Sequence, residues 1–107
     1  MRGVLLVMSE PVDGQEDVYN DWYDRIHLPE VLEVPGFTAA RRYVAEPSIG
    51  GALPPLKYLA IYEIEGDDFA DVQAGLTAAA RQMNISASLN RATAVTYTYQ
   101  IISELQR

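Results

Sequence analysis

The scarcest chemistry of this chain is gathered in Tyr19-Asn20-Asp21-Trp22-Tyr23-Asp24-Arg25-Ile26-His27-Leu28-Pro29-Glu30, which holds its single histidine and its single tryptophan. A neutral imidazole can give or take a proton near pH 7, so His27 is the natural general acid or base. Tyr23 stands four residues earlier and offers a phenol to orient a substrate oxygen. Asp24 offers a carboxylate to orient the imidazole. A catalytic reading therefore takes His27, Tyr23 and Asp24 together. A structural reading stands beside it: His27 braces the turn at Pro29 through Asp24 or Glu30, and Tyr23 buries its ring and bonds a carbonyl, as half-buried tyrosines do.

Around these stand residues that could hold a small molecule. Tyr19 lies one turn before Tyr23, and Trp22 could stack on a ligand, although a core role suits it better. Arg41 and Arg42 are adjacent in an extended segment, so their side chains leave opposite faces of a sheet. Either could grip a carboxylate or enolate, and either could instead pair with the acidic first helix. Tyr62 is a further lining candidate among tyrosines, with Tyr43, Tyr58, Tyr97 and Tyr99, whose main work would be packing.

Several chemistries lack their parts. With one histidine and no cysteine, a transition-metal site would need carboxylates for every other ligand, and no thiolate or disulfide can form. No glycine-rich phosphate loop and no nucleophile elbow is present. We expect no metal and no cofactor. The net charge of −7 opposes nucleic acid and anionic membranes as partners. The apolar run Val4-Leu5-Leu6-Val7-Met8 is too short to span a bilayer or to serve as a secretory core, so the expected location is cytoplasmic.

The elements that must position these residues follow from periodicity. A chain of 107 residues makes one domain, 1–107. Gly3 to Ser9 reads as a strand apolar on both faces, and Asp13 or Asp17 could cap the helix after it. That helix spans about 15–28. It should turn Val18, Trp22 and Ile26 to the core, set Tyr19, Tyr23 and His27 on its shoulder, and end at Pro29. Strands follow over 37–44 and 57–64, then a helix over about 68–83, and a last strand over 91–105. In the second strand, Phe37, Ala39, Arg41 and Tyr43 should share a face. The order β-α-β-β-α-β predicts an α+β ferredoxin-like sandwich, a four-stranded antiparallel sheet with two helices on one face. The other face carries too little charge to stay wet. A second copy of the same sheet would cover it, giving a homodimer.

The run from Asp21 to Glu30, followed by Val34-Pro35-Gly36-Phe37, Ala40-Arg41-Arg42-Tyr43 and Lys57-Tyr58-Leu59-Ala60-Ile61-Tyr62-Glu63, resembles the EthD-like branch of the dimeric α/β-barrel superfamily. The resemblance covers nearly the whole chain in order. It implies a homodimer whose paired sheets form a barrel, with a ligand cavity between helix and sheet in each subunit and His27 as the usual candidate active residue. Three expectations follow. The first is a cofactor-independent cyclase, dehydratase or isomerase moving protons on an aromatic or polyketide-like compound. The second is a non-catalytic accessory protein using the same cavity for a small organic ligand. The third and least favoured is a haem-linked monooxygenase, because Asn20, Trp22 and His27 all fall on one helix.

Overall fold

The computed structural model describes residues 1–107. Strand β1 (Arg2–Ser9) is followed by α1 (Glu16–Trp22), a π-helical turn (Tyr23–His27) and α2 (Leu28–Leu32). Then come β2 (Phe37–Val44), a short 3₁₀ turn (Ile49–Gly51), β3 (Tyr58–Glu65), α3 (Phe69–Ala80) and β4 (Val95–Gln100). The strands lie in the order β2-β3-β1-β4, every neighbouring pair antiparallel. This is the ferredoxin-like α+β architecture that the element order predicts. No helix is long and apolar enough to cross a membrane.

The sequence expectation for the first helix fails in two instructive ways. Pro29 does not end it. The Leu28 N–H bonds the Tyr23 carbonyl, five residues back, and the wider turn just ahead of Pro29 lets the chain stay helical through Leu32. The extra residue also re-phases the buried stripe, which runs through Tyr19, Trp22 and Tyr23 and then skips to Leu28 and Val31. Ile26, which regular spacing would turn inward, is 38% exposed, and Val18 is 54% exposed. Of the ridge expected at the core only Trp22 is buried, while Tyr19 and Tyr23 of the neighbouring ridge are inside. Burying Tyr19 and Trp22 is tolerable because the phenol and the indole N–H both find partners there. Nor does Asp13 or Asp17 cap α1, whose N-cap is Gln15 with no side-chain hydrogen bond. Asp68 does cap α3, its carboxylate accepting the Ala70 N–H at 2.8 Å.

In β2 the pairing slips between Phe37 and Ala39, so Thr38 is an extra residue. Phe37 therefore shares the helix-covered face with Ala40 and Arg42, and not, as simple alternation suggested, with Arg41 and Tyr43. Gly36, at φ +96°, makes the turn into β2, and its carbonyl accepts the Glu65 N–H. The last strand is shorter than expected: the ladder of β4 against β1 runs only from Val95 to Gln100.

The core lies between the helices and one sheet face, built from Leu5, Tyr19, Trp22, Tyr23, Val31, Val34, Phe37, Ala60, Tyr62, Ile64 and Val72. Strand register puts Leu6, Met8, Ile61, Tyr43, Tyr97 and Tyr99 on the other face, which no element of the chain covers.

Candidate ligand cavity and acid–base pair

Beneath α1 the helix and sheet share a polar cluster that alternation places and burial tightens. Ser9 continues the inward face of Leu5 and Val7 at the end of β1, and its Oγ lies 2.5 Å from the Tyr19 hydroxyl. The Tyr62 hydroxyl is buried without a well-aligned partner, beside the Tyr23 phenol. Burial pushes all three phenols up: Tyr19 and Tyr62 are raised, and Tyr23 is pushed up to about 12. These hydroxyls stay protonated at neutral pH, as donors.

Arg42 closes the cluster toward solvent. Its guanidinium lies 4.5 Å from the Tyr23 ring centroid and donates to Asp24 Oδ1 and Asn20 Oδ1, both at 2.8 Å. Asn20 also donates to the Tyr58 hydroxyl, which in turn donates to Glu16. Lys57 completes this edge at 2.6 Å from Glu16, and these two donors hold the Glu16 carboxyl below its usual range. Arg42 thus makes the ion pair with the first helix that was the alternative to substrate binding. Arg41 leaves the opposite sheet face and pairs with Glu63 at 3.0 Å.

His27 faces elsewhere. Its ring stacks on Trp22 at 4.6 Å and meets the edge of Tyr23 at 5.2 Å. Nδ1 lies 3.7 Å from Glu30 Oε1, and neither buried atom has a hydrogen-bond partner. The other Glu30 oxygen accepts the Asn84 N–H, while the Trp22 indole donates to the Asn84 carbonyl at 2.6 Å. Burial lowers the His27 pKa, partly offset by Glu30, so the imidazole is neutral at pH 7.

Of the three residues expected to act together, Tyr23 and His27 stay in edge contact, and Asp24 is engaged elsewhere. Asp24 serves Arg42, and the carboxylate beside His27 is Glu30. None of His27, Tyr23 and Asp24 lines any of the four main cavities. The haem reading does not fit either. Asn20 is committed to Arg42 and Tyr58, the Trp22 N–H to Asn84, and the His27 face to Trp22. No group of three His, Asp or Glu side chains is placed to hold a metal ion.

A cavity of about 320 Å³ does lie between α3 and the sheet, lined by Leu5, Gln73, Leu76, Thr77, Ala80 and Thr96. A groove of about 380 Å³ runs between α2 and α3, with Glu30 and Glu33 on one wall and Ala79 and Met83 on the other. Glu30 both neighbours His27 and lines this groove. Ser9 and the α3 lining were missed from sequence. Ser9 was findable, being the polar end of the inward face Leu5, Val7, Ser9. The lining of α3 was not, since Gln73 and Thr77 look like ordinary surface residues.

No protein-family model matches the sequence, and no curated protein sequence matches it. Solved structures do match the fold. An ethyl tert-butyl ether D (EthD) family protein from Bacillus halodurans is 10% identical at a TM-score of 0.59, over 94% of this chain and 99% of that one. A dimeric ferredoxin-like protein of unknown function from Jannaschia is 16% identical at a TM-score of 0.63, over 94% and 100%. A candidate monooxygenase from Shewanella loihica is 12% identical at a TM-score of 0.58, over 96% of both chains. Identities this low speak for architecture alone, and they agree with the resemblance carried by the Asp21–Glu30 run: the chain has the ferredoxin-like α+β fold found in an EthD family protein and in dimeric ferredoxin-like proteins.

Proposed function

We propose that the protein binds a small organic compound between α3 and the sheet, and that it works as a homodimer joined through the uncovered sheet faces. The observation that supports this reading is the cavity of about 320 Å³, which falls in the size range of small-molecule sites and has no titratable side chain in its lining. A wall of this kind can hold a molecule, but it offers no proton donor or acceptor of suitable pKa. This favours the accessory, non-catalytic role over the enzymatic one.

A second reading rests on a separate observation. His27 and Glu30 form a buried pair whose facing atoms lack other partners, and Glu30 opens onto the groove between α2 and α3. In that reading His27 is the base of a cofactor-independent cyclisation, dehydration or isomerisation, with Glu30 in the place first given to Asp24.

One experiment separates the two. A panel of aromatic and polyketide-like compounds is scanned for binding by thermal shift and for product by mass spectrometry, with wild type and His27→Ala. Saturable binding without product, unchanged in the variant, is the expected result. Product formation that His27→Ala reduces by about a hundredfold or more would replace this reading with the enzymatic one.

A further inference from the structure

We infer that the cavity between α3 and the sheet selects an uncharged compound of one or two rings, carrying a carbonyl or hydroxyl oxygen that Thr96 receives. The inference deepens the proposed binding function and rests on the cavity being the ligand site.

The charge preference follows from the lining. Leu5, Leu76 and Ala80 are apolar, and Gln73, Thr77 and Thr96 are neutral. Nothing in this wall can pair with a carboxylate, a phosphate or an ammonium group. Thr77 and Thr96 are exposed, so an ionised ligand would keep part of its hydration, but it would lose the rest against Leu5, Leu76 and Ala80 and gain no counter-charge, which a neutral molecule avoids.

The size follows from volume. A dry apolar cavity of about 150 Å³ accepts benzene. The cavity here is about 320 Å³ and open at the exposed Thr77 and Thr96, room for one or two fused rings against the apolar part of the wall.

The polar contact follows from which hydroxyls and amides are already engaged. Gln73 Nε2 donates to the Phe69 carbonyl at 3.2 Å, and Gln73 Oε1 accepts the Thr98 hydroxyl at 2.8 Å. The Thr77 hydroxyl donates to the Gln73 carbonyl at 3.1 Å, in the usual back-bonding of a helical threonine. Thr96, on β4, is left as the lining hydroxyl whose proton is uncommitted, beside the second Nε2 proton of Gln73. A ligand oxygen there would gain a hydrogen bond that the protein does not make for itself. Leu5, Leu76 and Ala80 would contact the rings.

The test uses two bicyclic probes of similar size and opposite charge state. 1-Tetralone is a neutral ketone, and 2-naphthoate is an anion at pH 7. Isothermal titration is run on the whole protein and on Ala80→Phe, which fills the cavity, with Ala78→Phe as a control on the exposed side of the same helix. We expect 1-tetralone to bind at least tenfold more tightly than 2-naphthoate. Ala80→Phe should weaken it tenfold or more, Ala78→Phe should leave it unchanged, and Thr96→Val should weaken it severalfold. Equal or tighter binding of 2-naphthoate overturns the charge preference while leaving the ligand site standing. Failure of both probes to bind, or binding indifferent to Ala80→Phe, overturns the inference and the binding function together.

Discussion

The Tyr19 hydroxyl lies 2.5 Å from Ser9 Oγ at a point where the two residues are 0% and 1% exposed. This contact ties the first helix to the first strand, and neither oxygen can turn to water if the other is removed. Tyr19→Phe strands the serine hydroxyl, and Ser9→Ala strands the phenol. Each should cost about 1–3 kcal/mol of stability. Because the double variant leaves no orphan, it should lose less than the sum, with a coupling of about 1 kcal/mol. Urea denaturation of the four proteins measures this directly. Strict additivity would mean that the two hydroxyls do not depend on one another.

The buried phenols set an alkaline limit on the fold. Tyr23 is raised from 10.0 to about 12 by burial, and Tyr19 and Tyr62 are raised by the same cause. Below the unfolded pKa both states keep the proton, and the stabilisation is fully present. Between about 10 and 12 the unfolded chain ionises while the folded one does not, so stability falls as pH rises. Tyr23 alone accounts for a loss of about 2–3 kcal/mol across that window. Unfolding free energies at pH 8 and about pH 12 should differ by at least about 2 kcal/mol, and phenolate absorbance should show delayed ionisation of the folded protein. A flat profile would contradict the burial of these hydroxyls.

The fold was legible because its signals are periodic. Alternation over Tyr58 to Ile64 and the turn at Pro35-Gly36 needed no tertiary information. The phase of the first helix was not legible, for a physical reason. Val18 is already outside ahead of the π turn, where Tyr19 and Trp22 set the buried stripe, and the π turn, one residue longer, then carries that stripe past Ile26 to Leu28. The same turn absorbs Pro29, so the one residue that marked the helix end marked a widening. The bulge at Thr38 misled in the same manner, since one inserted residue reverses every later face. The site suffered most. Asp24 and Glu30 are both within one turn of His27, and sequence alone could not say that Arg42, from β2, would claim the first and leave the second.

His27 gives the fold an acid limit that a single substitution should remove. Burial lowers its pKa from 6.5, with Glu30 pulling the other way. Above the unfolded pKa the ring is neutral in both states. As pH falls below it, the unfolded chain takes up the proton first, and stability is lost until the folded pKa is reached. Wild type should therefore lose more stability between pH 7 and about pH 5 than His27→Gln does. The variant will start lower, because it gives up the stack on Trp22 at 4.6 Å, so the comparison lies in the slopes. Parallel slopes would show that His27 protonates as easily inside the protein as outside it.

The uncovered sheet face yields the most direct test of assembly. Tyr97 is 50% exposed and Tyr99 58% exposed, next to Leu6, Met8 and Ile61 in the strand register. Among these the paired ions Arg41 and Glu63 neutralise one another, so the patch as a whole has little to offer water. Contiguous apolar surface of this kind is uncommon on a monomer, and a second sheet packed against it would remove it from solvent. Tyr97→Asp places a charge in the middle of that contact, where the partner would have to desolvate it. The side chain is half in water in the single chain, so folding should change by no more than about 0.5 kcal/mol. Dimer affinity should fall about thirtyfold or more, the loss expected when a central aromatic anchor is replaced. Light scattering after size exclusion across a dilution series should show a wild-type dimer, and a variant that runs as a monomer with unchanged circular dichroism. A variant that stays dimeric at the lowest concentrations would place the interface elsewhere on the molecule.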